Sequence, residues 1–132
     1  AQPDQRVLVI TGDGEMLMGL GSLSTVGLQQ PKNLAVVVLD NEHFGETGMQ
    51  TTHTAASVNL AEIARASGIS SSWTVRESSE ISTTREKLLH EEGPLFCGIK
   101  VRAETLPLVL PPKEGEILQK RFRNALMNEN GD

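Results

Sequence analysis

Two short apolar, β-branched runs open the chain, "RVLVIT" at 6–11 and "NLAVVVLD" at 33–40. Runs of this length without polar alternation predict strands buried on both faces, as in a parallel sheet. Between them, apolar residues at 16, 17, 20, 23, 26 and 28 surround more than one face of a helix expected from Glu15 to about Gln29, and Pro31 stops it. Met16 and Met18 are expected in its core face. Gly19, Gly21 and Gly27 weaken that helix by about 1 kcal/mol each against alanine. Close backbone approach is the expected return.

The polar stretch "NEHFGETGMQTTHTAAS" (41–57) has no apolar periodicity and predicts a long loop of the functional kind. Asn59 with Glu62 starts a short helix, "LAEIARAS", which Gly68 closes. "SSWTVR" (71–76) predicts a strand; Ser78 or Ser79 then caps a helix bearing Ile81, Arg85, Leu88 and Leu89, and Gly93-Pro94 breaks it ahead of a strand at "LFCGIKV". After "LPLVLPPKEGE", residues Leu118, Phe122, Ala125 and Leu126 mark an amphipathic helix. Alternating strands and helices predict an α/β fold with a mostly parallel sheet. Ligands of such sheets gather beyond the carboxyl ends of the strands.

Composition narrows the possibilities. The 132 residues, 38% apolar and 22% charged, fit a single domain with one core. A net charge of −5 and the scattered placement of 12 Lys and Arg argue against nucleic acid as a partner. The longest apolar run, "LAVVVL", is far short of the roughly 20 residues that span a bilayer, and no signal peptide precedes it, so a soluble, cytoplasmic chain is expected. The single cysteine, Cys97, lies within a predicted strand, where it reads as a buried residue and not a reactive thiol. The opening "AQPDQ", without an initiator methionine, suggests a processed chain or the latter part of a longer one.

Chemistry concentrates at the carboxyl ends of the first two strands, where "GDG" (12–14) and "DNEHFG" (40–45) can meet. Asp13 offers a carboxylate and Asn41 a side-chain carbonyl, hard oxygen donors suited to magnesium or calcium. The helix opening at Glu15 points N–H groups toward a phosphate, so a metal-bridged diphosphate is the expected ligand. The same residues also fit a plain turn in which Asp13 caps the helix. Asp13 is expected on a loop, so that Asp13→Ala removes metal-dependent binding and spares the fold. The Gly-Asp-Gly of haloacid dehalogenase phosphatases is excluded, since no Asp-x-Asp exists here, and a dinucleotide loop lacks its third glycine.

Gly12-Asp13-Gly14, then the 25 residues 15–39, then Asp40-Asn41, resembles the signature of thiamine diphosphate enzymes, Gly-Asp-Gly followed after some two dozen residues by Asn-Asn. Asp40 stands where the family has its first Asn. "NLAEIARASGI" and "GPLFCGIKV" are similar to later parts of the same domain, and "VVVLDNEHFGETGMQTTHT" looks most like sulfopyruvate and phosphonopyruvate decarboxylases. The resemblance implies that residues 1–132 form a three-layer α/β/α diphosphate-binding domain, its N-terminal part lying upstream. It implies that Asp13, Asn41 and the backbone carbonyl of His43 bind Mg²⁺. Gly12, Gly14, Glu15, Met16, Phe44 and Gly45 would hold the diphosphate of thiamine diphosphate.

By the same resemblance the reaction is decarboxylation of a 2-oxoacid, with an acetolactate synthase-like carboligase component or a non-catalytic structural or regulatory subunit as alternatives. The glutamate that activates the cofactor lies, in the family, on a separate pyrimidine-binding domain. The chain therefore needs a pyrimidine-binding domain or subunit as partner, an oligomer is expected, and the active site forms between domains. No residue of this chain is assigned as catalytic; His53 and Gln50 are the substrate-side candidates. His43 is read as acting through its backbone, and His90 as a helix-end dipole partner.

Overall fold

The computed structural model describes residues 3–105, 107 and 109–128. The first two residues of "AQPDQ" and Leu106 and Leu108 of the "LPLVLPP" segment lie outside them.

Four parallel strands form the sheet: β1 (Val7–Gly12), β2 (Leu34–Asp40), β5 (Ser71–Val75) and β6 (Leu95–Lys100), in the order β1-β2-β6-β5. Helices α1 (Asp13–Met18), α2 (Ser22–Gln29) and α3 (Leu60–Ala66) connect the first half, and α4 (Ile81–His90) connects β5 to β6. Alternation along β2 and β6 decides what each face buries. Val36, Val38 and Phe96 pack with Met16, Leu23, Leu60, Ala61, Ala64 and Ile69 on one face. Ala35, Val37, Leu95 and Cys97 pack with Val75 and Leu88 on the other. Central strands covered twice need apolar residues at every position, which is why β2 reads as a continuous run. This is the expected α/β sheet with helices on both sides.

β1 departs from expectation. It was expected buried on both faces, yet Val7, Leu8, Val9 and Ile10 are all exposed, Ile10 by 61%. As an edge strand it pairs only with β2 among the described residues, so it has the composition of an interior strand and the solvation of an outer one. Its amino end is tied down by Arg6, whose guanidinium donates to the carbonyls of Leu88 and Glu91 at 2.7 Å each.

The helix expected over 15–29 is two helices. Gly19-Leu20-Gly21 separates them, and Met18 and Leu28 are 82% and 80% exposed instead of entering the core. Of the three glycines, only Gly27 carries a close approach: a Cβ there would lie 1.8 Å from the Ser67 carbonyl oxygen, so α2 can meet the end of α3 only without a side chain. Gly19 and Gly21 have no such neighbour.

Asn59 caps α3 as expected, its Oδ1 accepting from the N–H groups of Ala61 and Glu62 at 3.0 and 3.2 Å. Ser78 and Ser79 do not cap α4, which starts without a side-chain cap; the Glu80 carboxylate instead closes the 3₁₀ turn Ser78–Glu80 ahead of it, accepting from the N–H groups of Glu77 and Arg76. Cys97 is fully buried, and burial, with the negative charge of Glu80, pushes its thiol up to about 12. It is inert, as its place in a strand predicted. The last helix, α5 (Gly115–Asn128), forms as expected, but Leu118, Phe122, Ala125 and Leu126 remain exposed. Among the described residues no helix is long and apolar enough to cross a membrane.

Candidate functional site

The parallel register of β1 and β2 sets Gly12 beside Leu39, so both strands deliver their next residues to one end of the sheet. Asp13 leaves β1 as the first residue of α1, and Asp40 and Asn41 leave β2. The stretch after Asn41 is more ordered than the loop expected there. β3 (His43–Phe44) pairs antiparallel with β4 (Gln50–Thr51), and the Thr52 N–H donates to the Glu42 carbonyl at 2.8 Å, closing the hairpin at its base. A single 3₁₀ turn, His53–Ala55, follows. Glu42, at the hairpin's base, and Met49, where the chain leaves the tip, take positive φ, 63° and 59°.

Asp13 is only 2% exposed. It does not cap its helix, and it is not on a loop as expected. Gly12 is the N-cap residue, and its N–H is taken by the Glu15 carboxylate at 3.0 Å; the same Oε2 accepts from the Thr11 hydroxyl at 2.7 Å. These two bonds lower the Glu15 carboxyl below its ordinary range. The helix therefore opens at Asp13, two residues earlier than expected, and the Gly12 N–H is not free for a phosphate.

The Asp13 carboxylate instead turns toward the hairpin's far end. Thr52 Oγ1 donates to Asp13 Oδ2 at 2.5 Å, and Thr54 Oγ1 lies 3.2 Å from the same oxygen. Thr54 also donates to Asp40 Oδ1 at 2.7 Å, and the two hydroxyls are 2.8 Å apart. Asp40, 6% exposed, completes its shell with the Glu42 N–H and with Lys100, whose ammonium is 2.8 Å from Oδ2. Lys100 bonds Glu42 as well, at 2.5 Å. Burial acts to lower its pKa, but the bonds to Asp40 and Glu42 outweigh it and the net shift is upward. Asp13, Thr52, Thr54, Asp40, Lys100 and Glu42 are thus one connected network, and among the described residues no buried side-chain polar atom lacks a partner.

Asn41 is half-buried; its Oδ1 accepts the His43 N–H at 2.9 Å, which leaves one lone pair for a further partner. The His43 ring turns back to the Asn41 carbonyl, with Nδ1 2.9 Å away, so its side chain is engaged within its own turn. Gly14 is required by Phe44: a Cβ at Gly14 would sit 2.8 Å from the ring, so the two motifs touch at this point. Met16 is buried in the core and can reach a ligand only through its backbone, whereas Gly45 is exposed. Gln50 and His53 are exposed, and His90 lies at the end of α4 beside Glu86, as expected of a dipole partner.

The donors are all hard oxygens: one buried carboxylate, one amide carbonyl and the backbone of a tight turn. Among the described residues no group of three or more His, Cys, Asp or Glu gathers as a metal-binding cluster. Such a mixed, low-charge set fits a magnesium ion that draws its remaining ligands from a phosphate and water. Sequence reasoning missed Thr52, Thr54 and Lys100. Only Lys100 carried a signal, a lone cation ending an apolar strand at the ligand end of the sheet. With Asp40, Glu42, Thr54, Asn59 and Arg76, it lines a polar cleft of about 350 Å³ there.

Residues 1–99 match the model of the family described as thiamine pyrophosphate enzyme, C-terminal TPP binding domain. The chain is 38% identical over 130 residues to sulfopyruvate decarboxylase subunit beta of Methanocaldococcus jannaschii, covering 93% of this chain and 65% of that protein. Against the same subunit of Methanococcus maripaludis it is 33% identical, with the same coverage. The phosphonopyruvate decarboxylase of Streptomyces viridochromogenes is 36% identical, with 89% of this chain matching 30% of that enzyme. The chain thus spans about 65% of the length of both beta subunits.

Proposed function

Because the chain belongs to the thiamine pyrophosphate enzymes, as their C-terminal TPP-binding domain, we propose that it is the diphosphate- and magnesium-binding component of a 2-oxoacid decarboxylase of the sulfopyruvate or phosphonopyruvate type. The observation that carries the metal assignment is Asp13, a buried carboxylate at the end of β1 held from the side by hydroxyl groups. Asp13 and Asn41 supply side-chain oxygens to Mg²⁺ and the His43 carbonyl a third protein ligand. Backbone groups at Gly14, Glu15, Met16, Phe44 and Gly45 would hold the diphosphate, and Gly12 shapes the turn that opens this cradle.

Bound thiamine diphosphate supplies an electron sink for the pair released as CO₂ leaves the 2-oxoacid. The chain's own part is placement: Asp13 and Asn41 would hold the metal that a bound diphosphate shares, and the Gly14–Phe44 contact sets the distance between the two motifs. Glu15 is committed to Gly12 and Thr11, so it is no candidate for activating the cofactor. That task falls to a glutamate on a pyrimidine-binding domain or subunit, and the relatives named as beta subunits support such a partner. Exposed Gln50 and His53 remain the substrate-side candidates on this chain, in a soluble, oligomeric enzyme.

Calorimetric titration of thiamine diphosphate in magnesium, and again in EDTA, tests the reading on the protein with any subunit that co-purifies. Binding is expected in magnesium alone and lost in Asp13→Asn, which keeps the side chain's size and with it the melting temperature. Undiminished binding by Asp13→Asn refutes the metal assignment.

A further inference from the structure

The two hydroxyls that meet Asp13 are not placed symmetrically about its carboxylate. Both converge on Oδ2, Thr52 at 2.5 Å and Thr54 at 3.2 Å, and neither reaches Oδ1. Each hydroxyl carries one proton. The short contacts assign the Thr52 proton to Asp13 and the Thr54 proton to Asp40, with the two oxygens in contact at 2.8 Å. Thr52 and Thr54 are themselves buried, at 4% and 6% exposure, so these bonds do not compete with water. The far end of the chain is anchored: Asp40 lies in β2, and its partner Lys100 is the residue opposite it in β6.

We propose that Thr52 is a positioning residue of the metal site: its hydroxyl pins Oδ2 of Asp13 from the hairpin side and thereby decides that Oδ1 faces the cation. The assignment rests on the reading of Asp13 as a magnesium ligand. The physical need is specific to that ion, which accepts little departure from octahedral geometry and so requires a carboxylate that does not rotate. A carboxylate fixed only through χ1 can swing its two oxygens; one held by a buried hydroxyl on a closed hairpin cannot. Hydrogen-bond partners that orient a ligand in this way typically change metal affinity by 10- to 100-fold when removed.

The test uses Mn²⁺ as probe, with free Mn²⁺ read by electron paramagnetic resonance in the presence of thiamine diphosphate, on the protein with any co-purifying subunit. Thr52→Val is expected to raise the Mn²⁺ dissociation constant by at least about tenfold, whereas Thr52→Ser, which keeps the hydroxyl, stays close to wild type. Thr52→Ala replaces Thr52→Val if that variant does not fold, as judged by its circular dichroism. Equal affinity in wild type and the hydroxyl-less variant overturns the positioning role alone. A loss shared by Thr52→Ser also overturns it, since the hydroxyl is then not the cause. A wild-type protein that binds no Mn²⁺ with thiamine diphosphate overturns the reading of the site, and the positioning role with it.

Discussion

Glu15 shows how one carboxylate can serve the fold at a place where chemistry is expected. Its position directly after Gly-Asp-Gly suggests a ligand contact, yet its side chain closes the turn by bonding Gly12 and Thr11. A capping interaction of this kind contributes on the order of 1 kcal/mol, and the exposure of Glu15 puts it at the low end. Because the folded-state pKa is depressed below 4.5, the contribution is present at neutral pH and disappears as the pH falls through the folded value. Glu15→Ala is therefore expected to melt below wild type at pH 7 and together with it in strong acid. Thermal melts at the two pH values check this. Asp13 teaches the complementary lesson: "GDG" pointed to its chemistry, but that Asp13 heads a helix and is bonded from a residue 39 positions away is a tertiary fact. No local pattern announces a threonine that arrives by hairpin.

At the scale of elements, Gly27 is the position where two helices touch through backbone. Gly27→Ala puts a methyl group into the Ser67 carbonyl, and neither partner is a flexible side chain that can step aside. α2 must move off α3, an overpacking strain of ~3 kcal/mol, and the expected result is a large drop in urea midpoint with little change in m-value. β2, α3, β5, α4 and β6 were legible because each carries its own signal: an apolar run, an Asn cap, a Gly-Pro break. The 15–29 helix was misread because apolar spacing continues across Gly19-Leu20-Gly21 while the helix axis does not. The 43–51 hairpin was invisible since two-residue strands hold no period, and its entry at Glu42 and its turn at Gly48 and Met49 use positive φ, two of them residues that seldom take that conformation.

For the molecule as a whole, the edges behave differently from the centre. The sheet's interior strands are covered on both faces, while β1 and the stripe of α5 expose apolar side chains. Since Ile117, Leu118, Phe122 and Leu126 are all exposed, ending the chain after Glu104 is expected to leave the melting temperature of the sheet nearly unchanged. Differential scanning calorimetry of the shortened and complete chains decides that. The fold class followed from alternation alone; which strand lies outermost did not, because an interior strand and an uncovered edge can share one composition.

Asp40 and Lys100 carry a consequence for substitution. Asp40 stands where thiamine diphosphate enzymes have the first Asn of their signature, and its charge is balanced across the sheet by a lysine in register with it. Changing Asp40 to Asn leaves Lys100 with Glu42 and the Thr54 carbonyl, whereas losing Lys100 first strands a buried carboxylate, a step that costs several kcal/mol. Lys100 is the costlier of the two to change alone. Positions 40 and 100 are therefore coupled, and the order of substitution matters: Lys100 is lost cheaply only once Asp40→Asn has removed the buried charge it balances.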